Sequence, residues 1–184
     1  MPRGGPRVYV GPWRVDVVRS AAEVLPLPQV EIARAVAHAL EAADAPSPGA
    51  VTVVLTDDEE LAALNREHMG HDGPTDVLSF PMLEPDVFRR GRPKARGRRD
   101  PQHLNAPPSS PRTHIGDIAI SVERAIEQAV EGRGGHTGDV RWSPADELRL
   151  LVTHGTLHLC GWDHAEPAEE AEMRTLERKL LDAT

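Results

Sequence analysis

The order of apolar and polar positions divides this chain into alternating strand-like and helix-like stretches. "RVDVV" (14–18) alternates as a half-buried strand does. "PQVEIARAVAHALEAAD" (28–44) places Val30, Ala33, Val36, Ala37 and Leu40 at helical spacing, with Pro46 and Pro48 beyond its end. "AVTVVL" (50–55) is continuous enough for a buried strand. Thr56 and Glu59 form a capping-box pattern that opens the helix "DDEELAALNREH" (57–68). "TDVLSF" (75–80), bounded by Pro74 and Pro81, and "HIGDIAIS" (114–121) are two further strands. Ser121 is placed to cap "VERAIEQAVEG" (122–132), and a Gly-rich turn, "GRGGHTG" (132–138), follows.

Two helices complete the pattern. "SPADELRLLVTHGTLHLCG" (143–161) has Ser143 as N-cap, Pro144 at the first helical position and Gly161 as a C-terminal stop. "PAEEAEMRTLERKLLDA" (167–183) is the last helix. The opening dozen residues, 1–12, are rich in Gly and Pro and are expected to form a frayed tail. Residues 84–112 are rich in Pro, Gly and Arg with almost no apolar positions, so a long basic loop is expected there.

Composition narrows the class. A chain of 184 residues, 39% hydrophobic and 27% charged, suits one domain with a real core, spanning residues 1–184. Cys160 is the lone cysteine, which excludes an intrachain disulfide. The N-terminus has no apolar leader, and no run of about 18 apolar residues exists to cross a bilayer. A reducing cytoplasm is therefore the expected compartment, with no membrane association. The net charge of −8 argues against binding nucleic acid over the whole surface. The charge is uneven, however: seven arginines and Lys94 against Glu84, Asp86 and Asp100 leave +5 between Glu84 and Arg112, and −13 on the rest.

The chemistry concentrates in "HGTLHLCGWDH" (154–164). His154 and His158, four apart on a helix, project from one face one turn apart, as two ligands of one metal must. A continued helix would carry His164 about 600° round the axis and some 9 Å along it from His158, too far to converge. Gly161 can take a left-handed conformation and turn the chain back. Three neutral imidazoles leave a coordination position open, as in a catalytic zinc site. A zinc peptidase of the HExxH type carries a glutamate beside the first histidine as its base. That place is Gly155 here, so a peptidase mechanism is not expected. Asp163 is one candidate base; the competing role is to hold a histidine ring. Cys160 falls on the far side of the helix from His158 and suits a small buried apolar residue.

On "HGTLHLCGWDH", "PTDVLSFP" (74–81) and "IGDIAIS" (115–121), in this order and with "LAALNREHM" before the second, the chain resembles the YbeY family of bacterial endoribonucleases, also described as ribosomal RNA maturation factors. The resemblance spans most of the chain from about Val51 onward. It implies an α+β fold in a single domain, with a small mixed sheet packed by helices and a metal site at the end of a helix in the C-terminal half. It implies one zinc ion on His154, His158 and His164, cleavage of single-stranded RNA, and a role in small-subunit ribosomal RNA maturation and ribosome quality control. Its partners would be a ribosomal RNA precursor and ribosomal proteins; oligomeric state is left open.

Many members carry an arginine where this chain has Met69, which cannot offer a guanidinium to a phosphate. Arg66, three residues earlier, is a candidate replacement, against the plainer role of a solvated helix residue. Ser79 and Asp117 are candidates to line a substrate cleft; satisfying backbone groups and capping a bulge are their structural alternatives, and Asp76 fits a turn cap. Two other functions stand beside the nuclease: a zinc-stabilised assembly factor without catalysis, and a metal hydrolase acting on a small ester or peptide.

Overall fold

The computed structural model describes residues 5–20, 24–73, 75–88, 111–131, 143–162 and 166–183. Among them, five strands form one mixed sheet: β1 (Arg7–Val10), β2 (Trp13–Arg19), β3 (Gly49–Thr56), β4 (Val77–Pro81) and β5 (Thr113–Ser121). The spatial order is β1-β2-β3-β5-β4. β2, β3 and β5 run parallel, while β1 and β4 close the two edges antiparallel. Five α-helices accompany them: α1 (Gln29–Ala42), α2 (Asp58–Leu64), α3 (Val122–Glu131), α4 (Pro144–Leu159) and α5 (Pro167–Leu181). A mixed sheet covered by helices agrees with the expected fold.

Strand alternation decides which helix lies on which face. Val51, Val53 and Leu55 of β3 and Ile118 and Ile120 of β5 belong to the main core, with Ile32, Val36 and Leu40 of α1 and Leu148, Val152 and Leu159 of α4. Val54, Leu78, Phe80 and Ala119 turn to the other face, where Leu61 and Leu64 of α2 cover them. Alanines 33, 35, 37 and 39 are buried along α1, which keeps that helix narrow where it packs. Val30, expected on its apolar face, is 42% exposed because it lies in the first turn, outside the packed stripe.

Three expectations change. Arg7–Val10 do not belong to a frayed tail: they pair with β2 through a two-residue turn, Val10 opposite Trp13. Gly11 supplies the positive φ, 56°, that such a hairpin turn needs. The α2 cap is Asp57, not Thr56: its carboxylate accepts from the Glu60 amide at 2.8 Å, while the buried Thr56 hydroxyl donates to the Glu60 carboxylate. The helix continues past Leu64 as a π-helical turn, Asn65–Met69, and ends at Gly70 with φ 68°. The segment from Glu84 is not uniformly loop-like either, since Pro85–Val87 form a 3-10 turn that buries Phe88 in the main core. Residues 89–110 and the turn at 132–138 lie outside the described residues.

Candidate metal centre

α4 begins as expected. The Ser143 hydroxyl accepts from the Asp146 amide at 3.2 Å, and the Asp146 carboxylate accepts from the Ser143 amide at 3.0 Å. The two together make a capping box, and Pro144 needs no amide partner at the first position. The far end closes as a Schellman turn. The Gly161 amide donates to the His158 carbonyl at 3.0 Å, and the Trp162 amide to the Leu157 carbonyl at 3.1 Å. Gly161 takes φ 75°, the left-handed conformation the histidine spacing demanded. Trp162 packs with Leu157 and Met173, so the reversed chain is held by an apolar contact as well as by two hydrogen bonds.

Between these ends His154 and His158 share one face of α4, both half-buried. Their rings meet edge to face with centroids 4.5 Å apart, and their Nε2 atoms are 3.0 Å apart. Two ring nitrogens this close need a proton or a cation between them. A tetrahedral ion bonded at ~2.0–2.1 Å to each would set them about 3.3 Å apart. The pair therefore fits two ligands of one ion with an adjustment of a few tenths of an ångström. His154 Nδ1 lies 2.6 Å from Oε1 of Glu177, which reaches in from α5. A carboxylate accepts, so the His154 proton sits on Nδ1 and its Nε2 lone pair faces His158. Among the described residues no third ligating side chain completes a metal-holding group. His164 and Asp163, the expected third ligand and candidate base, lie outside the described residues.

The other candidates are distributed around this pair. Ser79 is on the α4 side of the sheet and donates to the Gly155 carbonyl at 3.0 Å, which ties β4 to the histidine helix. Gly155 is packed against that strand pair: a Cβ there would come 2.8 Å from Ile118 Cγ2, 3.0 Å from Val77 Cγ2 and 3.3 Å from Ser79 Oγ. The position that carries a base in HExxH enzymes is filled here by the sheet.

Asp117 alternates with Ile118 and so points to the opposite face, where its carboxylate meets His114 Nε2 at 2.9 Å. These two residues flank Ile115, the extra residue where the β3–β5 register shifts. Arg66 is in the π-helical turn, where its guanidinium pairs with Asp72 at 2.8 Å. Met69 ends that turn, 42% exposed. Asp76 receives a hydrogen bond from the Gln128 amide at 3.1 Å. The structure thus joins Ser79 to the histidine helix, turns Asp117 to the opposite face of the sheet and pairs Arg66 with Asp72. Cys160 is fully buried and burial pushes its thiol up to about 12, which suits an apolar filler rather than a ligand or nucleophile.

Glu177 is the residue that sequence reasoning did not single out. It is one of four glutamates of α5 and lies 23 positions from His154. The available signal was its phase: four residues after Met173 and three before Leu180, it occupies the apolar stripe rather than the charged face.

The fold is a mixed α/β domain in which one helix sets two imidazoles edge to face. The family model described as endoribonuclease YbeY matches residues 20–184. The chain belongs to the YbeY family. An endoribonuclease YbeY from Roseiflexus castenholzii is 39% identical over 170 residues, which cover 92% of this chain and 90% of its own. One from Salinispora tropica is 42% identical over 144 residues, 78% of this chain and 80% of that one. The solution structure of TM1509 from Thermotoga maritima is similar in fold, with a TM-score of 0.52 at 22% identity over 91% of this chain and 87% of that one. None of the described helices is long and apolar enough to cross a membrane.

Proposed function

We propose that this protein is a zinc-dependent endoribonuclease that cuts single-stranded RNA, acting in the cytoplasm on precursors of small-subunit ribosomal RNA and in ribosome quality control. Family membership supports the nuclease activity, since the curated relatives carry that name. The observation that carries the metal is the 3.0 Å approach of two Nε2 atoms, one of them on a ring whose other nitrogen is already committed to a carboxylate. His154, His158 and His164 would hold the ion. When bound, zinc would supply Lewis-acid polarisation of a phosphoryl oxygen and a water of lowered pKa. The chain's own part is to keep the His154 ring bare at Nε2 and the His158 ring beside it, to hold their helix against the sheet through Ser79, and to reverse at Gly161 so that the third histidine can return. With Gly155 buried, a proton acceptor for the reaction has to come from elsewhere, and Asp163 is the candidate. Arg66, Ser79 and Asp117 are the candidates for contacts along the RNA.

One observation favours a second reading, a zinc-stabilised assembly factor that binds RNA or a ribosomal protein without cutting. Met69 stands where the resemblance implies an arginine, and Arg66 is engaged with Asp72. Purified protein, a chelated sample and a His158→Ala variant, each given a single-stranded ribosomal RNA fragment, separate the readings. Stoichiometric zinc with cleavage lost on chelation and in the variant is the expected result. Cleavage that survives in the variant would remove the nuclease reading, and tight binding without cleavage would favour the assembly factor.

A further inference from the structure

We infer that Glu177 is a positioning residue for the histidine pair: its carboxylate keeps the His154 proton on Nδ1 and so holds the Nε2 lone pair toward a shared cation. The inference rests on reading the pair as a metal site. A neutral imidazole has one proton and two places for it. A ring serves as a ligand only with its metal-facing nitrogen bare, and in water neither tautomer dominates enough to guarantee that. Glu177 can only accept, and its Oε1 is 2.6 Å from Nδ1, a short distance that marks a charge-assisted bond. Its side chain is only 11% exposed, so water is poorly placed to substitute. The negative charge also makes the imidazole a better donor to a cation.

The competing role is mechanical, a bond that ties α5 to α4. Docking does not require an acid there. Met173, Leu176 and Leu180 surround the position, and an apolar side chain would extend their stripe without a carboxylate to desolvate. A buried carboxylate in that setting is explained by what it does to the ring it touches.

The two roles part company in the variants Glu177→Gln and Glu177→Leu. Zinc affinity is measured at one pH by competition with a chromophoric chelator, with folding checked by circular dichroism. Gln keeps an acceptor and loses the charge, so affinity falls up to about tenfold; Leu loses both, and it falls by up to about 100-fold. In the zinc-loaded wild type, NMR is expected to show the His154 Nδ1 proton protected from exchange, and in the folded Leu variant that signal should disappear. Wild-type affinity in both folded variants would overturn the positioning role and leave the metal reading intact. A wild type that takes up no zinc would bring both down together.

Discussion

At the scale of the residue, one backbone angle decides whether the site can assemble. Gly161 holds φ 75° with Pro85 Cβ 3.3 Å from where its own Cβ would be. An L-residue in that conformation costs about 1–2 kcal/mol. The expected outcome for Gly161→Ala is a loss of stability of about that size, with zinc affinity falling further than the lost stability explains, because the third histidine follows three residues on. Urea melts and chelator competition on the same sample measure both. An unchanged affinity would mean that His164 finds its place without this turn. The spacing of "HGTLHLCGWDH" made Gly161 legible in advance, since a ligand triplet interrupted by a helix is a geometric contradiction that only a reversal resolves. Glu177 was not legible in the same way. Its partner is distant in sequence, and an acidic residue on an acidic helix reads as solvated unless its phase is followed.

At the scale of the element, α5 is the least securely held of the helices near the site. It rests on a small cluster in which Ala39, Leu157 and Met173 are buried and Trp162, Leu176 and Leu180 are partly so. The main core lies elsewhere, between the sheet and α1 and α4. Met173→Ala removes the one large apolar side chain of α5 that is buried among the described residues, at a cost of about 2–5 kcal/mol. Deuterium exchange by mass spectrometry is expected to show faster exchange in 167–181 with β3 and β5 unaffected, as local undocking predicts. Uniform acceleration would show α5 to be part of the global unfolding unit. β2 and the long helices were legible from their apolar periods of two and 3.6, and β3 from its continuous apolar run. β1 was hidden because "VYV" is short and lies among Gly and Pro, whose signal as loop outweighed the alternation. The bulge at Ile115 and the π-helical turn leave no period of their own, and both depend on the neighbouring strand or chain.

At the scale of the whole molecule, charge is segregated. An acidic body of −13 is joined to a +5 segment whose ends are tied down, by Phe88 in the core and by the Arg112 guanidinium 5.1 Å from the Tyr9 ring centroid. Any test of the segment must spare both anchors. Replacing residues 89–110 with an uncharged Gly/Ser linker of equal length is expected to leave the thermal midpoint unchanged and weaken RNA binding mainly at low salt. The slope of log affinity against log salt should become shallower by about 0.7 for each phosphate that the native segment neutralises. An identical slope would show that the segment does not touch the RNA backbone.

The closeness of α4 to the sheet at Gly155 has an evolutionary corollary. A carboxylate at that position would carry a packing cost from its first carbon onward, because a Cβ would meet Ile118 Cγ2 at 2.8 Å and Val77 Cγ2 at 3.0 Å and force a shift there. The wall behind the imidazoles thus weighs against acquiring a peptidase-type base at this place in the scaffold.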